Sequence, residues 1–215
     1  MTYLDLVNNV LRRLREEEVS NVSESTFSKM VGDFVNDAKK LVENAWEWSM
    51  LRNDVTLNTT QGVATYALEG TKDKVKTLSV INDTSNVDVE YRPYSWFEEQ
   101  DYINNPVSGV PEYYTYDGYD VNNDTQLTFY PTPDGVYSIK LKLLYNNDNL
   151  TANTDTLLIP DAPVMHLAIA LLSRERGETG GTSTPEYFAI ADKYLSDAIA
   201  YDAQKHPEDT IWYTP

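Results

Sequence analysis

The chain has 215 residues, with 34 Asp and Glu against 17 Lys and Arg, a formal net charge of -17. That length supports one domain with a sizeable core, or a core carrying an insertion. The acidic balance argues against holding nucleic acid through a cationic patch, and the lack of cysteine excludes disulfides and thiolate chemistry.

Thr2 to Glu18 reads as a first helix. Thr2 is placed to cap it with Asp5, and Tyr3, Leu6, Val7, Val10, Leu11 and Leu14 form its apolar stripe. Arg12, Arg13 and Arg15 stand at its C-terminal end, where cations suit the helix dipole. They suggest a charged helix end or an ion-paired subunit contact, with phosphate binding as the rival. Glu16, Glu17 and Glu18 follow at once and weigh against phosphate. Ser20 to Ser25 is short enough for the next helix to pack back on the first.

Phe27 to Trp48 predicts the central helix. Phe27, Val31, Phe34, Ala38, Leu41, Ala45 and Trp48 recur at alternating spacings of four and three, and Ser23 or Ser25 can cap the start. Lys29, Asp33, Lys39, Lys40, Glu43 and Glu47 are expected on the solvated face. A self-assembling coiled coil is the rival, disfavoured by Ala38, Ala45 and an irregular flanking charge pattern.

From Asp54 the period changes to two. Short strands are expected around Val55–Leu57, Tyr66–Leu68, Val75–Ile81, Val87–Tyr91, Tyr113–Tyr116, Leu127–Tyr130 and Tyr137–Tyr145. Ser95 to Tyr102 reads as a short helix with Ser95 and Glu98 as a capping box, and Trp96 and Phe97 toward the sheet. After Pro160 the helical pattern returns. Asp161 can cap a helix that is apolar on every side from Ala162 to Leu172, with Gly177 at its end. Thr184 and Pro185 start a last helix to about Ala203, with Phe188, Ala191, Leu195 and Ala198 on one face. His206 and Pro207 end it.

The fold class predicted is α+β. Residues 1–53 and 160–205 form a four-helix bundle of two N-terminal and two C-terminal helices. An antiparallel β barrel or sandwich is inserted at 54–159, with one short helix near 95–102. The tail 206–215 is a docking arm, since Ile211, Trp212 and Tyr213 are large apolar anchors with no element left to pack on.

No residue pattern carries enzyme chemistry. His166 lies inside an apolar helix and His206 at a helix end, neither at zinc-ligand spacing. Glu112, Asp117, Asp120 and Asp124 lie in a tyrosine-rich stretch and raise a carbohydrate-binding or carbohydrate-cleaving module as an alternative. Asp120-x-Asn122-x-Asp124 starts like a calcium loop, but Thr125 stands where the turn glycine belongs and Pro131 where the bidentate Glu belongs. No catalytic residue, cofactor or metal site is assigned. No apolar run approaches the roughly 20 residues that span a bilayer, and Met1 to Asn9 has no leader pattern. A soluble chain made in the cytoplasm, with no membrane partner, is expected.

Leu4-Asp5-Leu6-Val7-Asn8-Asn9-Val10-Leu11-Arg12-Arg13-Leu14 resembles the first helix of head-to-tail adaptor (connector) proteins of tailed bacteriophages. So does Leu127-Thr128-Phe129-Tyr130-Pro131-Thr132-Pro133-Asp134-Gly135-Val136-Tyr137 with the alternating strand to Tyr145. Leu157-Leu158-Ile159-Pro160 before an apolar helix completes the resemblance. It implies a non-enzymatic virion protein at the head–tail interface. The implied partners are the portal protein, a downstream tail nozzle or tube protein, and copies of itself in a ring, usually a dodecamer. Genomic DNA would pass through without specific binding. Another tail-completion protein is the alternative within the virion.

Overall fold

The computed structural model describes residues 1–71, 75–102, 107–177 and 184–205. Among them are five α-helices: α1 (Tyr3–Arg13), α2 (Thr26–Ala45), α3 (Tyr94–Tyr102), α4 (Asp161–Arg176) and α5 (Thr184–Ala203). The strands are β1 (Arg52–Asn58), β2 (Thr65–Ala67), β3 (Val75–Asn82), β4 (Val87–Asp88), β5 (Glu90–Tyr91), β6 (Ser108–Gly109), β7 (Tyr113–Tyr119), β8 (Thr125–Tyr130), β9 (Thr132–Pro133) and β10 (Ser138–Tyr145). The class is mixed α+β. The chain divides into two compact units, Met1–Met50 with Asp148–Pro215, and Leu51–Asn147.

In the first unit, local chemistry sets the helix starts. The Asp5 amide donates to Thr2 Oγ1 and the Thr2 amide donates to Asp5 Oδ2, at 3.2 and 3.3 Å, a reciprocal cap. Leu6, Val7, Val10 and Leu11 are buried. The helix ends at Arg13, short of the expected Glu18. Arg15 turns left-handed at φ 61°, and the Glu16 amide bonds back to the Leu11 carbonyl at 3.0 Å. Ser25 caps α2, accepting from the Ser28 amide at 2.9 Å.

The buried face of α2 is rotated from the one expected. Val31, Val35, Ala38 and Val42 are buried, but Leu41 is 52% exposed and Phe27 and Phe34 are only half-buried. Lys39 and Glu43, expected in solvent, are instead buried on this face. Their side chains are 2% and 1% exposed and pair at 2.9 Å. A helix can bury two opposite charges one turn apart when they neutralise each other, which residue-type periodicity cannot register. Trp48 follows the helix, fully buried, and donates from Nε1 to the Val42 carbonyl at 2.8 Å.

Helix α4 packs against α1, α2 and α5, as its apolar circumference requires, and α1 packs against α2. Asp161 does not cap α4. It is the first helical residue, and Pro160 precedes it without a side-chain cap. Gly177 closes α4 at φ 62°, a left-handed position that suits glycine. Residues 148–160 run beside α1 and α2. The Tyr3 amide donates to the Asp155 carbonyl at 2.8 Å, satisfying a first-turn donor of α1. Asn36 Nδ2 donates to the Leu150 carbonyl at 3.0 Å, and its Oδ1 accepts from the Leu150 amide at 2.9 Å.

In the second unit, two four-stranded sheets, β1-β10-β3-β4 and β2-β8-β7-β5, face each other across one core. Ile139, Leu141 and Leu143 of β10 meet Leu127 and Phe129 of β8 there. The sheets do not close into a barrel: β1 and β4, and β2 and β5, remain the edges of separate sheets. Nor is the pairing wholly antiparallel. The β5–β7 and β6–β9 pairs are parallel, each of only two residues, too short to leave a periodic trace in the sequence. Helix α3 starts at Tyr94, so Ser95 lies inside it and forms no capping box with Glu98. Its Trp96 packs on Tyr113 and Tyr130 of the sheet, ring centroids 4.9 and 5.3 Å away.

Candidate interaction surfaces

At the end of α1, Arg12 and Arg13 have partners within the chain. Arg12 Nε lies 3.2 Å from Glu18 Oε1, and its guanidinium also bonds Asn9. Arg13 Nη1 lies 3.1 Å from His166 Nε2 on α4. A guanidinium only donates, so this contact requires Nε2 as acceptor, with the imidazole proton on Nδ1. The other side of the ring is stacked, 4.2 Å between centroids and 8° between planes, on Tyr194 of α5. Burial first, and the Arg13 charge second, hold the His166 pKa below its ordinary value. His166 is therefore half-buried and hydrogen-bonded. Arg12, Arg13 and Arg15 are all exposed, and among the described residues the first two are tied to neighbours.

Two carboxylates of the tyrosine-rich stretch, Asp120 and Asp117, do turn and sheet work. Asp120 Oδ1 accepts from the Asn122 and Asp124 amides, both at 2.8 Å, and Asn123 takes the left-handed conformation at φ 65°. The calcium-like spacing is thus the signature of an Asx turn joining β7 to β8. Asp117 Oδ2 accepts from Thr128 Oγ1 at 2.9 Å, and Thr128 in turn meets Thr65 at 2.8 Å. Among the described residues no group of three His, Asp or Glu is placed to hold a metal. A shallow cavity of about 180 Å³ is lined, among the described residues, by Val75, Tyr116, Gly118, Tyr119 and Thr125.

The sequence did not single out Asp202, on the last turn of α5. Its carboxylate is buried and accepts from Ser49 Oγ at 2.6 Å, the Ser49 amide at 2.9 Å and Trp46 Nε1 at 3.2 Å. Burial pushes its pKa up, but the Ser49 and Trp46 bonds outweigh burial and hold it below the usual range. The end of α5 is thereby pinned to the segment after α2.

The sequence model of the SU10 adaptor protein family matches residues 1–210. The chain belongs to that family. The match runs through both units and agrees with the head-to-tail adaptor resemblance of the sequence motifs. No curated protein matches the chain significantly. Membership in an adaptor family points to a phage virion component that contacts other head and tail proteins, and to a structural role. Among the described residues no helix is long and apolar enough to cross a membrane.

For an adaptor, the surfaces that matter are docking surfaces. Ile211, Trp212 and Tyr213 lie outside the described residues. The aromatic cluster of α3 with β7 and β8 was foreseen only in its Trp96 and Phe97 contacts. Tyr94 and Tyr102, 51% and 85% exposed, were not recognised as surface residues. Helical periodicity carries little signal in so short a segment.

Proposed function

We propose that this chain is a head-to-tail adaptor that forms a ring between the portal and the tail and lines the DNA channel. The observation that supports this is the family match over residues 1–210. In this reading α1, α2, α4 and α5 form one four-helix bundle, and residues 51–147 are a β insertion in it. The ring is a dodecamer, with a tail nozzle or tube protein as its downstream partner. Arg12, Arg13 and Arg15 lie at a contact between copies, and residues 206–215 are an arm that docks on the portal through Ile211, Trp212 and Tyr213. A net charge of -17 suits a channel wall that does not hold DNA.

Electron microscopy of the particle, with this chain located in it, tests the placement. A position away from the head–tail junction overturns it. The arm has its own test. Deleting residues 206–215 leaves the Asp202 clasp in place, so the melting temperature should be nearly unchanged while attachment to the portal is lost. Normal attachment of the truncated chain rules the arm out.

A further inference from the structure

The two outer faces of the β unit differ in charge. On the β1-β10-β3-β4 sheet, strand alternation points Ile139, Leu141 and Leu143 into the core and leaves Lys140 and Lys142 outward. The register puts Lys140 between Thr56 and Ile81, Lys142 between Asp54 and Ser79, and Leu144 between Arg52 and Lys76. Arg52, Lys76, Lys140 and Lys142 are all exposed and share this face. In a chain with twice as many acids as bases, these four cations stand among Asp54, Asp83 and Asp88. Lys140 Nζ already meets Asp83 Oδ1 at 2.8 Å in a solvent-exposed ion pair, a kind that contributes little and exchanges partners readily. Ile81, 38% exposed, gives the face an apolar centre.

The opposite outer face, on β2-β8-β7-β5 with α3, is acidic and aromatic. Glu98, Glu99 and Asp101 are exposed on α3, beside Tyr94 and Tyr102. Asp117 first, then burial, Glu98, Tyr102 and Asp101, raise the Tyr94 pKa. Arg92, on β5's side of this face, ion-pairs with Glu90 at 3.0 Å and lies over the Tyr113 ring.

We infer that the lysine-bearing face of one copy docks on the acidic, tyrosine-rich face of the next. This rests on the ring reading and says which faces make the ring. The occupant is a second copy because one molecule carries both complementary faces, on opposite sides of one core. A contact between unlike faces leaves one of each free on every pair, so it repeats from copy to copy and closes when the rotation allows. Duplex DNA fits worse. Phosphates are all negative: they would compete with Asp83 for Lys140 and repel Asp54 and Asp88, whereas the acidic face of a second copy brings Arg92 and hydroxyl groups as well.

The test is zero-length carbodiimide cross-linking, which joins an amine to a carboxylate only in direct contact. It is run on a 1:1 mixture of 14N- and 15N-labelled full-length chains, concentrated and portal-bound, so that mixed-isotope peptides report contacts between copies. Links from Lys140 or Lys142 to Glu98, Glu99 or Asp101 are expected. The variants Lys140→Glu/Lys142→Glu and Glu98→Lys/Asp101→Lys should each lose self-association alone. Mixed together they should regain it, because the two reversed faces are complementary. That recovery also shows that both variants fold. Mixed-isotope links confined to other surfaces, or self-association that neither reversal disturbs, overturn the inference and leave the ring standing. Absence of any link between copies on the portal removes the ring reading and this inference together. Salt-sensitive duplex binding that Lys140→Glu/Lys142→Glu abolishes would assign the face to phosphate and overturn it.

Discussion

Arg13 and His166 show how one polar contact makes a helix junction depend on pH. The guanidinium needs a neutral imidazole as acceptor, and both burial and the Arg13 charge oppose protonation. The folded-state pKa of His166 therefore lies below the unfolded value of about 6.5. The unfolded chain takes the proton first. The stabilising contribution is full above about pH 6.5 and is lost as pH falls through the folded value. NMR titration should find His166 below its ordinary pKa, and Arg13→Ala should raise it toward that value. An unchanged titration in Arg13→Ala would show that the contact does not form in solution. Lys39 and Glu43 make the second residue-scale case. Burial first, opposed by Lys39, leaves the Glu43 pKa raised. Lys39→Met leaves a carboxylate buried without its partner and should cost about 3–5 kcal/mol. The double variant Lys39→Met/Glu43→Leu should recover most of that in denaturant melts. A double variant as unstable as the single would show that the pair stabilises the fold in itself.

At the scale of elements, what was legible depended on whether a signal was local. The Thr2–Asp5 cap, the Ser25 cap and Gly177 after α4 were readable because each acts on backbone within a few residues. The orientation of α2 was not. Phe27, Phe34 and Leu41 look like core, but the neighbouring helix selects Val31, Val35 and Val42. The reason lies at Gly32, where a Cβ would stand 2.3 Å from Tyr3 Oη and 2.9 Å from Val22 Cγ1. Close approach of α1 to α2 at this glycine fixes which side of α2 is inside. Gly32→Ala should therefore destabilise the protein, although helix propensity alone favours the change by about 1 kcal/mol. Adding Tyr3→Phe should restore part of the loss, because it removes the nearest atom. A melting temperature that rises in Gly32→Ala would refute this packing. The charged faces of the β unit were illegible for a related reason. Lys140 and Lys142 alternate visibly along one strand, but only the register beside β1 and β3 brings Arg52 and Lys76 to their side.

At the scale of the whole molecule, two electrostatic effects of opposite sign act on assembly, and they have different ranges. Each copy carries a net charge of -17, so copies repel one another as bodies. That repulsion acts across many ångströms and is cut as the Debye length shrinks from about 30 Å at 0.01 M salt to about 8 Å at 0.15 M. Contacts between Lys140 or Lys142 and the carboxylates of α3 would act at about 4 Å. They survive 0.15 M salt but weaken as the Debye length reaches about 3 Å near 1 M. Self-association should therefore pass through a maximum. It should be weakest at about 0.01 M, rise toward 0.1–0.2 M, and fall again toward 1 M. Light scattering or sedimentation of the isolated protein across that series reads the curve. A stable ring at about 0.01 M salt and micromolar concentration, with no partner present, would show that contact energy overrides the net charge. A steady rise to 1 M salt would point to apolar contacts between copies in place of charged ones. The charge-reversed variant Lys140→Glu/Lys142→Glu makes the net charge more negative and removes the attractive pairs. It should stay dissociated over the whole range, and that flat profile beside the wild-type maximum is what separates the two effects.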